Sequence, residues 1–410
     1  TPCPIPLGSG TTPVMIACEE IYHPSVPVAS DATFNVVTIN PENGLVGAKA
    51  SFLGSIRQSV VYMSPEATYI TFSRQENLAN IILDFINDKE RDLLSEDVNK
   101  RLDELRGYNI SEESKMNEVF ILTERYKTTL SEDEQKRIEN ETEIRMEEYI
   151  KEHMRDFEKT MSVKMDNKNL EIKAVGEVPG LPLNQFALDE FNENLRIATT
   201  ISGVGLSDSG KSVSDVYVLS DNLGILGKVT DLGQTEKIYS VRFVEDKGYV
   251  VTFKRIDPFY VIDLTDPKNP EKKGELKIPG FSSYLHPITK NEIIGVGEEG
   301  GNVKISLFDV TDPGNPTEAS KYSLAEYYTQ VESNHHAFLL DDKHQIFFLP
   351  AGASGYIFTY SGKEIKLLKV VSDIQAVRAL FLNNYLYVVG NSRMVVLDET
   401  NWTEVNSISF

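Results

Sequence analysis

Two copies of one short element decide the fold of this chain. Residues 260–270 read YVIDLTDPKNP, and residues 306–316 read SLFDVTDPGNP. In each copy an apolar run ends in an aspartate, Asp263 or Asp309, and a turn rich in Asp, Asn and Pro follows. These two aspartates are 46 positions apart. Self-similarity at a fixed period of this size is typical of repeat folds, in which each repeat is one supersecondary unit.

Looser copies of the same element occur along most of the chain. They lie at residues 34–39, 163–166, 216–221, 356–360 and 395–400. Each copy from Val163 onward is preceded by another hairpin, in which two apolar runs flank a polar turn, as in residues 239–253. Asn, Asp and Gly in these turns tolerate the positive φ that tight hairpins require. Two hairpins per repeat therefore predict a four-stranded antiparallel unit.

A four-stranded unit that recurs every roughly 40 to 50 residues is typical of one blade of a β-propeller. A β-sandwich uses the same hairpins but does not repeat at this period. We therefore predict an all-β propeller of about six to eight four-stranded antiparallel blades, with an inserted α-helical bundle. The predicted blades are residues 56–75 with 163–180, then 181–233, 236–279, 280–326, 333–371 and 372–410.

The amino-terminal part of the chain shows less of the repeat. Only the outer hairpin of an earlier blade is recognisable, near residues 33–55, and residues 14–24 are a further candidate strand. The predicted propeller is therefore incomplete at this end, unless residues 1–32 complete it. The chain opens with Thr1 rather than Met, which indicates a processed or trimmed piece of a longer protein.

Residues 76–162 differ in texture from the rest, since they hold one glycine, no proline and many charged residues. Apolar residues at helical spacing predict four helices, and Ser95, Ser111 and Ser131 stand where helix N-caps belong. The predicted helices are 76–88, 95–106, 112–129 and 132–160. We expect a solvated helical bundle inserted in a loop, which is compatible with a partner-binding arm. The predicted division is thus 1–75, 76–162 and 163–410.

The charge balance excludes some classes of partner. The 410 residues carry 41 Lys and Arg against 62 Asp and Glu, a formal net charge of -21. Such a chain repels nucleic acid and anionic membranes. No apolar stretch approaches the length of a membrane helix, and no signal peptide is present. We therefore predict no nucleic-acid partner and no membrane insertion.

Two small features bear on the compartment. Cys3 and Cys18 lie in one short Pro-rich segment, the arrangement of a small disulfide loop, although two free buried thiols are the alternative. Asn-x-Ser/Thr sequons at Asn109, Asn140 and Asn401 are candidate glycosylation sites and are compatible with secretion.

Several blocks resemble the secreted β-propeller family of archaea and bacteria that is distantly related to WD-repeat proteins. The blocks are residues 183–190, 195–200, 238–243, 249–253, 256–259, 274–281, 284–287 and 335–338. The resemblance is dense over about 181–345, and the helical insert is similar to one in members from thermophilic archaea. It implies an extracellular or cell-surface location, with further blades and a signal segment upstream of Thr1. It implies no established reaction.

A polar ring in the propeller channel is the candidate binding site. Arg242 precedes Tyr249 by seven positions, and His286, Arg378 and Tyr62 stand at the same spacing before Ile293, Tyr385 and Tyr69. Period-two alternation then places these side chains on equivalent faces. With Gln185 and with His335 or His336, of which we prefer His336, they would bind an anion or a carboxylate. The alternative is that they hydrogen-bond neighbouring blades and channel water.

Metal and nucleophile motifs are weak in this sequence. His335 and His336 are adjacent on a predicted strand and would point to opposite faces, so only one could join His286 and a carboxylate around a metal. The turns at Asp263/Asp266 and Asp309/Asp312 could hold Ca²⁺ but lack a known calcium-loop spacing, and turn capping explains them better. No Gly-x-Ser-x-Gly elbow occurs. We predict no catalytic residue, no metal ligand and no cofactor, with calcium as the one exception considered.

These observations favour a binding or structural module over an enzyme. The predicted function is an extracellular or cell-surface propeller that presents a channel mouth and a helical arm to a ligand or partner. The predicted partner is a protein or cell-envelope component, a second copy of the chain, or missing upstream blades. A secreted hydrolase or lyase with its site at the channel is the alternative, and a cell-envelope assembly subunit is a third.

Overall fold

The computed structural model describes residues 5–7, 14–23, 30–202, 212–253 and 257–410. They form two compact units. The first draws its residues from 1–181, 200–212 and 221–224, and the second from 182–199, 213–220 and 225–410.

The first unit contains short amino-terminal strands and one four-stranded sheet. Its strands are β1 (Ile5–Leu7), β2 (Val14–Ile16), β3 (Ile21–Tyr22), β4 (Ala32–Ile39), β5 (Val46–Gly54), β6 (Val60–Met63), β7 (Ala67–Gln75), β8 (Glu158–Asp166) and β9 (Ile172–Pro179). Strands β6 to β9 pair antiparallel in chain order, whereas β3, β5 and β4 form a three-stranded sheet and β1 pairs with β2. Phe52, Phe72 and Val163 form part of the core between these sheets.

Four helices interrupt the four-stranded sheet between β7 and β8. They are α1 (Leu78–Phe85), which continues as a π-helical turn over Ile86–Glu90, α2 (Glu96–Arg106), α3 (Glu112–Lys127) and α4 (Glu132–Phe157). Each N-cap side chain accepts a hydrogen bond from the first turn, as Ser111 Oγ does from Ser114 N at 3.2 Å. No helix in the described part of the chain is long and apolar enough to cross a membrane.

The end of α4 differs from the predicted helix 132–160. The strand β8 begins at Glu158, because Glu158 pairs directly with Gln75 at the end of β7. The ladder between these strands thus reaches the insertion point, and the last residues predicted to be helical complete it. The three-part division of the chain stays a prediction.

Among the described residues, five four-stranded sheets lie in the second unit, apart from residues 200–202 and Ser212 at the ends of two strands, which belong to the first unit. Each sheet is antiparallel with its strands in chain order. The strands are β10 (Leu188–Phe191), β11 (Asn194–Ser202), β12 (Ser212–Leu219), β13 (Ile225–Leu232); β14 (Lys237–Val244), β15 (Lys247–Phe253), β16 (Asp257–Asp263), β17 (Glu271–Ile278); β18 (Phe281–Thr289), β19 (Glu292–Glu299), β20 (Asn302–Asp309), β21 (Thr317–Leu324); β22 (Leu339–Asp341), β23 (Ile346–Ala351), β24 (Ser354–Thr359), β25 (Lys366–Val371); β26 (Ala376–Leu382), β27 (Tyr385–Gly390), β28 (Arg393–Asp398) and β29 (Glu404–Ser409). Each predicted blade from residue 181 onward contains one of these sheets.

The repeated element forms the third strand of a sheet and the turn after it. Asp263 ends β16 and Asp309 ends β20, and each carboxylate accepts a hydrogen bond of 2.9 Å from the amide two residues on. The middle strands are buried on both faces, which is why they read as continuous apolar runs rather than as alternating ones. Side chains of neighbouring sheets interlock there, as where the ring of Phe259 stacks on that of Phe308 with centroids 4.4 Å apart. The prediction of four-stranded antiparallel blades with a helical insertion is confirmed.

The predicted disulfide and the predicted glycosylation sites stand as follows in the chain. Cys3 lies outside the described residues, while Cys18 is exposed in a short 3-10 helix. The disulfide between them stays a prediction. Asn109, Asn140 and Asn401 are all exposed, and their glycosylation stays a prediction too.

Candidate functional site

A cavity of about 160 Å³ lies in the second unit, where the first strands of successive sheets meet. Strands β14 and β18 supply two walls. The 3-10 turn Gln185–Ala187 before β10 and the segment around residues 330–335 before β22 supply the others. The lining residues are Asn184, Gln185, Phe186, Ser240, Val241, Arg242, Ser283, Tyr284, Leu285, Val331, Glu332, Ser333 and His335.

Arg242 is the charged centre of this cavity. It pairs with Tyr249 across β14 and β15, and only 9% of its surface is exposed. Its guanidinium carbon lies 3.2 Å from the ring centroid of Phe186 and 5.2 Å from that of Tyr284. Burial lowers the pKa of Arg242, although an arginine keeps its charge in proteins. Its Nη1 has no hydrogen-bond partner among the described residues, so the cavity holds a buried cation with an unused donor.

Tyr284 and His286, which both lie on β18, form a pair beside Arg242. The Tyr284 hydroxyl lies 2.9 Å from His286 Nδ1, at hydrogen-bond distance. Burial lowers the pKa of His286 to about 4, with a further contribution from the Arg242 charge and an opposing one from Asp342. The imidazole is therefore neutral at neutral pH, and Arg242 is left as the positive charge of this group.

His335 and Gln185 close another side of the cavity. Gln185 Nε2 lies 3.3 Å from His335 Nε2, and the His335 ring meets Phe186 edge to face with centroids 4.9 Å apart. Burial, followed by the nearby His336 and Arg242, lowers the pKa of His335. His336 and Arg242 thus both favour the neutral form of the His335 imidazole.

The predicted strand around His335 and His336 was wrong. Asn334 Oδ1 accepts a hydrogen bond from the His336 amide at 3.1 Å and caps a 3-10 helix over His335–Ala337. In this turn the two imidazole rings lie 3.9 Å apart instead of on opposite faces. His335 lines the cavity, and His336, the residue that we preferred, is exposed.

Two other members of the predicted ring lie elsewhere. Arg378 is exposed and pairs with Val389 instead of standing level with Tyr385. Tyr385 is the first residue of β27 whereas Tyr249 is the third of β15, so equal spacing from these anchors does not give equal register. Tyr62 belongs to the first unit, where it pairs with Tyr69, with ring centroids 5.9 Å apart.

The acidic groups of the second unit differ in their surroundings, and Glu332 was not singled out from the sequence. Glu332 lines it, and burial together with Glu298 raises the pKa of this carboxyl. At the two turns considered for calcium, Asp266 accepts hydrogen bonds from Lys268 N and Asn269 Nδ2, and Asp309 contacts Lys363 Nζ at 2.6 Å. These contacts favour turn capping. A third acidic group, Asp341 and Glu399 with His344, has the donor set of a metal site.

A larger cavity, of about 760 Å³, lies among the helices of the first unit. Its walls are mainly apolar side chains of α1, α3 and α4, such as Ile82, Val119 and Ile138. Glu90 lines it with 7% of its surface exposed, and its Oε1 has no hydrogen-bond partner among the described residues. Burial raises the pKa of Glu90, against the effect of a hydrogen bond from Thr142.

Successive four-stranded antiparallel sheets, with a cavity lined by first strands and by the turns that precede them, are the architecture of a β-propeller protein. The chain belongs to the family described as "Beta propeller domain", whose model matches residues 3–403. It is 45% identical over 408 residues to an uncharacterized protein of Archaeoglobus fulgidus, and 37% identical over 402 residues to one of Methanocaldococcus jannaschii. These alignments cover 99% and 96% of this chain, but only 64% of each relative.

Among solved structures, the C-terminal WD40 domain of Sif2 is similar over 62% of this chain and 66% of its own length. The identity is 9% and the TM-score is 0.37.

Proposed function

We propose that this propeller is a binding module that takes up a small carboxylate in the Arg242 cavity. The observation that carries the proposal is the buried Arg242 guanidinium, whose Nη1 has no hydrogen-bond partner among the described residues. The Tyr284 hydroxyl hydrogen-bonds the guanidinium but carries no opposite charge, and an ionised group removed from water without a counter-charge is costly. A carboxylate supplies both the opposite charge and the acceptor, in a geometry that suits a guanidinium.

The walls of the cavity restrict the size and shape of this ligand. A volume of about 160 Å³ corresponds to about five water molecules in the liquid. This admits a small monocarboxylate, or the carboxylate end of a longer molecule. Phe186 and Tyr284 present aromatic surface on two sides of the guanidinium. A short apolar substituent on the ligand would pack against these rings.

Glu332 makes this binding depend on pH. Its carboxylate repels an anion, and because its pKa is raised, it takes up a proton more readily than an exposed glutamate does. Carboxylate affinity is therefore expected to rise as the pH falls towards the raised pKa of Glu332.

The binding test compares two arginines that both lie on first strands. Titration calorimetry with acetate, lactate and succinate, and with chloride as control, is applied to the parent chain, to Arg242→Met and to Arg378→Met. A charge-assisted hydrogen bond contributes about 1.5–3 kcal/mol, so Arg242→Met should weaken binding roughly ten- to hundredfold. Arg378→Met should bind like the parent. Equal affinity of Arg242→Met and parent, or no binding of any carboxylate, would refute the proposal.

The cellular setting is part of the same proposal. The family resemblance supports an extracellular or cell-surface location, where the helical insert is free to contact a protein or cell-envelope partner. The test is fractionation of the native cells with an antibody to this chain, with surface protease treatment of intact cells. Protection of the chain from the protease until the cells are lysed would contradict the surface location.

A hydrolase or lyase at the same cavity is the competing function. It predicts that a bound carboxylate ester or amide is consumed, whereas a binding module returns its ligand unchanged. Chromatography of the ligand after prolonged incubation with the chain separates the two.

A further inference from the structure

We propose that Asp341, His344 and Glu399 bind one divalent transition-metal cation, for which Zn²⁺ is the best fit. The site is separate from the carboxylate cavity and shares no residue with it. Asp341 ends β22, His344 stands in the turn between β22 and β23, and Glu399 follows β28. All three belong to the second unit.

Backbone and side-chain contacts bring these turns together. The Glu399 amide donates to the Asn384 carbonyl at 3.0 Å. Lys343 Nζ donates to Asn384 Oδ1 at 2.7 Å, so the turn after β22 contacts the turn between β26 and β27. These contacts hold residues that are far apart in sequence at one point between the last two sheets.

The donor atoms are spaced as a small cation requires. The candidate ligand atoms of the three residues all lie within 4.8 Å of one another. His344 Nδ1 is 2.6 Å from Asp341 Oδ2 and 3.6 Å from Glu399 Oε2. A tetrahedral ion with bonds of about 2.0–2.1 Å separates its ligand atoms by about 3.3 Å. Side-chain rotations that change these separations by up to about 1.5 Å therefore suffice to form the site.

An independent observation points to a missing partner at Glu399. This side chain is buried, with 3% of the residue surface exposed, and neither carboxylate oxygen has a hydrogen-bond partner among the described residues. Asp341, beside it, is 1% exposed. Two carboxyl groups at such depth require a cation or a bound proton. A divalent cation would satisfy both groups and the unused oxygens of Glu399.

Outside the cluster of Asp341, His344 and Glu399, no described charged group donates a hydrogen bond to Glu399. The Lys343 ammonium is directed to Asn384, and the Tyr360 hydroxyl donates to Asp342 at 3.1 Å instead of to Asp341 or Glu399. The cluster thus combines two carboxyl groups with one imidazole.

The donor set selects the type of cation. Ca²⁺ and Mg²⁺ prefer sites built from oxygen atoms, whereas an imidazole nitrogen with carboxylates suits Zn²⁺ and other first-row cations. Three protein ligands leave one tetrahedral position for water. A cation at this point would cross-link the turn after β22 to the end of β28.

The experiment uses the full chain without a histidine tag, treated with EDTA and desalted. ZnCl2 alone is titrated at neutral pH, and Co²⁺ is added separately as a spectroscopic probe. We expect one Zn²⁺ per chain with micromolar or tighter affinity, a higher melting temperature, and visible Co²⁺ bands of low-symmetry coordination. Failure of the parent chain to bind Zn²⁺, or tighter binding of Ca²⁺ than of Zn²⁺, would overturn the assignment.

Matched variants locate the bound cation. His344→Gln and Glu399→Gln should each weaken Zn²⁺ binding at least a hundredfold, and His336→Gln, which changes an exposed histidine outside the cluster, should leave binding unchanged. Glu399→Gln removes a buried charge, so it should fold and melt no lower than the metal-free parent. Retained Zn²⁺ binding in Glu399→Gln, or its loss in His336→Gln, would place the cation elsewhere and overturn the proposal.

Discussion

Acidification should weaken the second unit through His286, and the effect follows from the surroundings of this side chain. In the folded chain, burial and then the Arg242 charge lower the pKa of His286 from its ordinary value of 6.5 to about 4. The unfolded chain therefore binds a proton more tightly at this residue than the folded chain does. The free energy of unfolding must then fall as the pH drops from about 6.5 to about 4.

The size of this effect can be worked out from the two pKa values. Between pH 7 and pH 3, the gap between 6.5 and about 4 corresponds to a loss of roughly 3 kcal/mol. At pH 5 the folded histidine is still mostly neutral while the unfolded one is mostly charged, and about 2 kcal/mol of this has been lost. Carboxyl groups titrate in the same range, so the histidine contribution has to be isolated with a variant.

The assay compares the parent with His286→Gln and with His336→Gln as the matched control. Glutamine keeps a hydrogen-bond partner for the Tyr284 hydroxyl but cannot take up a proton at this pH. Unfolding by denaturant is measured at pH 7 and pH 5 and is monitored through hydrogen exchange of peptides from β18 and β19. His286→Gln should lose about 2 kcal/mol less than the parent between these pH values, and His336→Gln should follow the parent.

A direct NMR titration of His286 can refute the prediction of a lowered pKa. The NMR signal of the His286 ring, assigned by its disappearance in His286→Gln, should keep its neutral position down to about pH 5. A midpoint near 6.5 would show that the ring is solvated and charged like a free histidine. The reasoning on burial and on the Arg242 charge would then be wrong.

Two further predictions concern the helical insert. Glu90→Gln should raise the stability of the insert by about 1 kcal/mol at pH 8 and by less at pH 4.5. The reason is that burial raises the pKa of the Glu90 carboxyl, so the folded parent loses stability as the pH rises. Equal stabilisation in thermal melts at both pH values would contradict this. Replacement of residues 76–157 by a short Gly/Ser linker should leave the β-type circular dichroism intact, since Gln75 and Glu158 are already paired neighbours, and collapse of the β signal would show that the helices are part of the core.

The features predicted well from the sequence depend on near neighbours in the chain. Helix starts at Ser95, Ser111 and Ser131 are set by side chains that cap amides three residues on. The turns after Asp263 and Asp309 are set by a carboxylate and the amide two residues on. Such hydrogen bonds close within a few residues, so the residues themselves determine them, and the repeat of these elements determined the fold class.

The candidate sites depend on contacts between distant residues, and here the sequence was insufficient. The cavity takes His335 instead of His336 because a 3-10 turn replaces the expected strand. Arg378 is displaced because the register of β26 depends on where its partner strand begins. Asp341 and His344 meet Glu399 only because two turns pack against each other. Only the tertiary structure decides such convergence, because the position of a side chain there follows from pairing and packing between strands, which no local pattern records.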